Sequence, residues 1–128
     1  MKNICNIFPE IKQLEKNIIR KGTPNVISKY RNIRTNIQDT ILDVTQKLKL
    51  QKPNVNINLV KNIKDVKGFN IKSNDKNYNI NLYLPVKINR ENLSQVITDE
   101  ITHIKHWEHN EDFLLFGLND VLPKVEKI

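Results

Sequence analysis

Apolar residues recur every three or four positions at Ile11, Leu14, Ile18 and Ile19, a spacing that predicts a short helix. Pro9 suits its first turn, and KGTP (21–24) marks its end. Thr23 then caps a longer helix that starts at Pro24. There Tyr30, Ile33, Ile37, Ile41, Val44 and Leu48 form one stripe suited to core packing. After Pro53 the period shortens to two. Val55, Ile57 and Leu59 fall on one side and Asn54, Asn56 and Asn58 on the other, as in a half-buried strand. The segment GFNIKS (68–73), the turn-rich SNDKN (73–77) and the alternation of Tyr78, Ile80, Leu82 and Leu84 with Asn79, Asn81 and Tyr83 predict a hairpin. A small, mainly antiparallel sheet follows.

Pro85 closes the last strand and Asn89 caps a further helix, whose buried face is Leu93, Val96, Ile97, Ile101 and Ile104. A final amphipathic segment, Glu111 to Leu122, packs back through Phe113, Leu114, Phe116, Leu118 and Val121. Helices gathered around a run of strands define an α+β fold. A chain of 128 residues holds one such domain with a real core, residues 1–23 being an N-terminal extension.

Composition narrows the setting. The lone Cys5 cannot form an internal disulfide, and no apolar run reaches the ~20 residues of a membrane span. The start, MKNICNIFPE, lacks the apolar core of a signal peptide. An intracellular protein, cytoplasmic or nuclear, is expected. The net charge of +7 is compatible with contact to DNA or another polyanion.

The candidate chemistry is concentrated in ITDEITHIKHWEH, residues 97–109. It contains all three histidines of the chain: His103, His106 and His109. Short His-rich tracts are a metal-binding bias. On a helix, Asp99 and His103 are four apart and share a side, and Glu100 follows Asp99 as the glutamate follows the first histidine of an HExxH helix. His109 lies beyond a helix that stops near Trp107, where a turn can return it to His103. Asp99, His106 and His109 cannot all bind one metal from a straight helix, because Asp99 and His106 are ~10 Å apart along its axis. Trp107 and Phe113 read as core residues around this helix, and His106 as an exposed or supporting residue.

DEITHIKHWEHNEDF (99–113) resembles the HExxH(x)5H-x3-F element of SprT-like, YgjP-like and WLM zinc metallopeptidase domains, with Glu100, His103, His109 and Phe113 in register. The upstream GFNIKSNDKNYNINLYLP (68–85) is similar to the WLM pattern in which a G-L-N-V segment and an I-x-L-x-L strand precede the motif helix. The resemblance covers roughly residues 35 to 125. It implies a minimal zincin-like domain with one Zn2+ held by Asp99, His103 and His109, and Glu100 as general base. It also implies a peptide or protein substrate laid along the strand of Ile80, Leu82 and Leu84. Some relatives cut proteins crosslinked to DNA.

Two departures stand out: Asp99 replaces the first histidine, and WEHN (107–110) replaces the family's G-P-H-D turn. A carboxylate can bind zinc at ~2.0–2.2 Å, but it reaches less far than an imidazole, so either the cation moves toward the helix or the helix bends. Two histidines and a carboxylate are also the ligand set of many mononuclear iron sites. Two readings follow: a zinc-dependent metallopeptidase with a variant DExxH(x)5H motif, and a catalytically inactive peptidase-like fold that binds protein or nucleic acid; the motif alone does not decide whether the domain is an enzyme.

Overall fold

The computed structural model describes residues 4–73 and 77–126, with side chains from residue 9 onward. Cys5 and part of the 73–77 turn therefore lie outside the described side chains. In chain order the elements are α1 (Ile4–Lys16), α2 (Pro24–Lys47), β1 (Asn54–Leu59), β2 (Lys67–Lys72), β3 (Tyr78–Leu84), α3 (Arg90–Lys105), α4 (Glu111–Phe116), a π-helical turn (Gly117–Val121) and α5 (Leu122–Glu126). This is the α+β class.

Local chemistry explains the helix starts. Thr23 accepts a hydrogen bond from the Val26 N–H at 3.3 Å ahead of α2, and Asn89 accepts from Asn92 at 3.1 Å ahead of α3. The end of α1 differs from the sequence expectation. Pro9 lies inside the helix, which stops at Lys16. Ile18 instead bridges Val60, and the Ile19 N–H donates to Leu59 O at 2.8 Å. These β-branched residues thus satisfy backbone groups on the outer edge of β1 that would otherwise lack partners.

The sheet has the order β1-β3-β2. β2 and β3 form the expected antiparallel hairpin, but β1 runs parallel to β3, so the sheet is mixed. The parallel pairing follows from the 61–77 segment that separates the two strands and contains β2. β3 is the central strand.

Ile37, Ile41 and Val44 of α2 meet Ile80, Leu82 and Leu84 of β3 and Ile97, Ile101 and Ile104 of α3 in the main core. On the opposite side of the sheet, Ile11 and Leu14 of α1 join Phe69 and Tyr83 in a second cluster. Ile11 and Leu14, within the 1–23 segment expected as an extension, therefore supply cover for the second sheet face. That is why Tyr83, on the polar side of the alternation, is buried.

The C-terminal segment is interrupted where a continuous helix was expected. The Leu122 N–H donates to Gly117 O, five residues back, and defines the π turn. A Cβ on Gly117 would stand 3.2 Å from Thr102 Oγ1, so the missing side chain lets this turn press against α3.

Candidate metal centre

The histidine pair is built from the end of α3 and the turn that follows. His103, in the last turn of α3, is 6% exposed. Its Nδ1 lies 2.8 Å from Trp107 O and, facing a carbonyl, must carry the proton and donate it. Nε2 is then the nitrogen with the free lone pair. The Asn110 side chain caps α4 by accepting from Phe113 N–H at 3.0 Å, and the turn so formed returns His109 over His103. The two Nε2 atoms are 3.0 Å apart.

Aromatic rings pack against this pair, with His103 buried among them and His109 exposed. Phe113 lies 4.7 Å from both imidazoles, and Trp107 stands edge-on to His103 at 5.6 Å and against Tyr78 at 5.9 Å. Burial, with the charge of His109 adding to it, pushes the His103 pKa down to about 4, while the Trp107 carbonyl opposes the shift. The imidazole is neutral at pH 7, the form that binds metals.

Two ligands ~2.0–2.1 Å from a tetrahedral zinc stand about 3.3–3.4 Å apart. The observed 3.0 Å separation needs only a slight opening to fit. The Trp107 carbonyl on Nδ1 is the kind of outer partner that orients metal-binding histidines. Asp99 completes the set less well. It is exposed on α3 one turn before His103, and its carboxyl pKa is raised by desolvation and drawn down by His109. Among the described residues no group of three or more His, Cys, Asp and Glu side chains is assembled around one point. The structure thus brings His103 and His109 together and leaves Asp99 as a neighbour. The His106 ring is half-buried against Phe116, and only its backbone reaches His103.

Glu100 occupies a separate berth. It is 8% exposed, and burial, reinforced by the charge of Asp99, pushes its carboxyl up to about 8, with a backbone hydrogen bond from Asn70 offsetting part of this. The hairpin register explains that bond. Ser73 N–H donates to Asn77 O, so Phe69 and Ile71 pair with β3 while Val66, Gly68 and Asn70 turn their backbone groups outward. Val66 N–H finds Asn92 Oδ1 at 2.8 Å, and the Asn70 side chain donates to Glu100 O at 2.8 Å. α3 therefore lies along the outer edge of β2 and closes it. Gly68 makes the approach possible, since a Cβ there would meet Val96 Cγ1 at 2.5 Å and Glu100 Oε2 at 3.0 Å.

The expected substrate strand is corrected by these contacts. Ile80, Leu82 and Leu84 are 0% exposed, and β3 has a partner strand on each side. Neither its backbone nor these side chains can receive a peptide. Sequence reasoning missed Gly68 and Asn70, which position Glu100. The GFN triplet was visible in the chain, but only the strand pairing shows which residue it faces.

Compared with family models, curated proteins and solved structures, the chain shows no match.

Proposed function

We propose that this protein is a zinc-binding domain of the metallopeptidase type, with His103 and His109 as the primary ligands and Asp99 as the third, acting on peptide or protein substrates. The observation that carries the reading is the 3.0 Å approach of two Nε2 atoms, one of them held by a backbone carbonyl in the tautomer a metal requires. The resemblance of residues 99–113 to an HExxH(x)5H element points the same way.

When bound, zinc supplies Lewis acidity to a peptide carbonyl and to water. His103 and His109 orient the site, and the aromatic walls of Trp107 and Phe113 limit the water around it. Glu100 holds a proton at neutral pH in the metal-free protein. A cation nearby favours its ionised form. Glu100 can then take a proton from water and deliver it to the departing amine, the role of a general base and acid.

A second reading is favoured by the same glutamate. Its carboxyl already serves the edge of β2, which gives Glu100 a structural reason to exist without catalysis, and β3 offers no strand edge. In that reading the domain binds metal and partner but does not cut.

Metal content by mass spectrometry tests the first proposal. About one zinc per chain is expected in the wild type, lost in His103→Ala and held more tightly in Asp99→His. Hydrolysis of an unfolded protein by the zinc form, lost in Glu100→Gln with zinc retained, separates the two readings. A wild type without zinc that gains it on Asp99→His would sink metal binding by the natural chain.

A further inference from the structure

The C-terminal helical segment has two apolar sides. Phe113, Gly117 and Val121 face inward and are buried. Leu114 and Leu118 were expected to join them, but both are 60% exposed, and Leu115 beside them is 50% exposed. With Glu111 they follow an i, i+3, i+4, i+7 spacing, so they form one outward stripe. A helical segment apolar on both sides is ordinarily covered on both.

Charge indicates what covers it. From His106 to Pro123 the chain has no Lys or Arg, yet it carries Glu108, Glu111, Asp112 and Asp120, all exposed, in a protein of net charge +7. The opposite composition appears elsewhere on the surface. From Lys16 to Arg34 there are six basic residues and no acidic one. The N-terminal half of α2 within this stretch displays exposed Val26 and Ile27, at 40% and 37%, with exposed Lys29, Arg31 and Arg34 around them. Each stretch has exposed apolar residues and charges of one sign, and the signs are opposite; Lys105, over the Phe116 ring at 4.6 Å, borders the acidic one.

We propose that these two surfaces bind each other between copies of the chain: the Leu114/Leu115/Leu118 stripe of one molecule receives the Val26/Ile27 end of α2 from another. Because the two patches differ, the contact is either doubled across a two-fold axis in a closed dimer or repeated head to tail. Opposite rims set the orientation and speed the encounter, and the leucines supply the buried area. α4 also carries Phe113 against both imidazoles of the histidine pair, so the contact borders the candidate centre.

Sedimentation velocity over a micromolar concentration series is the test. The wild-type mass should rise to at least twice the 15.1 kDa of the monomer and fall back at high ionic strength. Leu118→Lys should return the protein to a monomer, and Arg31→Glu/Arg34→Glu should weaken association about tenfold or more. Combining Arg31→Glu/Arg34→Glu with Glu111→Lys/Asp112→Lys should restore association. All four altered residues of this last variant are exposed, but Glu111 and Asp112 form the acidic first turn of α4 and Arg34 lies over the Tyr30 ring, so circular dichroism matching the wild type is the check that the variant folds. A wild type monomeric at every concentration overturns the proposal. So does association indifferent to these changes, or an Arg31→Glu/Arg34→Glu variant that keeps its mass but loses binding to a DNA duplex, which would assign the basic surface to nucleic acid.

Discussion

Two neighbouring turns of α3 treat their ionisable groups in opposite ways from one cause. At Glu100, burial against β2 favours the protonated, neutral carboxyl and pushes the pKa up to about 8. At His103, burial beneath Trp107, His109 and Phe113 favours the deprotonated, neutral imidazole and pushes the pKa down to about 4. Both are uncharged at pH 7. The difference lies in what each environment leaves free: the carboxyl is occupied by a strand edge, whereas the imidazole keeps its Nε2 lone pair toward His109. Burial at Glu100 closes a strand edge, and burial at His103 leaves a neutral imidazole whose Nε2 carries no proton.

The largest effect should come from breaking the Glu100 side. In Gly68→Ala the new methyl group would meet Val96, whose β-branched side chain has little rotamer freedom in a helix, and the Glu100 carboxyl beyond it. We expect a loss of about 2–3 kcal/mol. Thermal unfolding followed by circular dichroism should show a drop of roughly 10 °C. A change near zero would mean that α3 can move off the β2 edge at little cost, and the berth would lose its structural meaning.

That berth also marks where the sequence stops being legible. The caps at Thr23 and Asn89, the stripe of α2 and the β2–β3 hairpin are written within a few residues and could be read directly. The parallel pairing of β1 with β3, the bridge from Ile18 to Val60 and the closure of β2 by Asn92 and Glu100 join residues far apart in the chain. No local period encodes them. The same limit explains the site. His103 and His109 were readable because one short turn connects them. The strand of Ile80, Leu82 and Leu84 was misassigned because alternation cannot distinguish a central strand from an edge.

The next effect is on the pH dependence of stability. An unfolded glutamate releases its proton near 4.5 and the folded Glu100 near 8, so the native state holds the extra proton between these values. Stability from this group is complete below 4.5 and is lost as pH rises toward 8. His103 has the other sign: its folded value of about 4 lies below the unfolded 6.5, so its contribution is present above 6.5 and lost as pH falls. The two oppose each other from about 4.5 to 6.5, and Glu100 acts alone above that. The unfolding free energy should be nearly level in the lower range and fall by about 1 kcal/mol from pH 6.5 to 8. Glu100→Gln, which cannot ionise, should remove the fall. Urea titrations at pH 5, 6.5 and 8 measure it, and a decline that persists in Glu100→Gln would assign it to other groups.

The smallest effect on stability should come from His109→Ala, and its smallness is informative. His109 is exposed, so losing its 3.0 Å contact with His103 and its edge on Phe113 should cost only about 0.5–1 kcal/mol. Its charge is one of the causes that lower the His103 pKa, so the remaining imidazole should titrate somewhat higher, which an NMR titration of the His103 ring reads directly. Zinc binding should meanwhile be lost. A residue that contributes little to folding and much to metal affinity is held in place for the metal. If His109→Ala instead cost several kcal/mol, the imidazole pair would be part of the packing around Phe113, and the lone pair on His103 would be a by-product of the cap that Trp107 supplies.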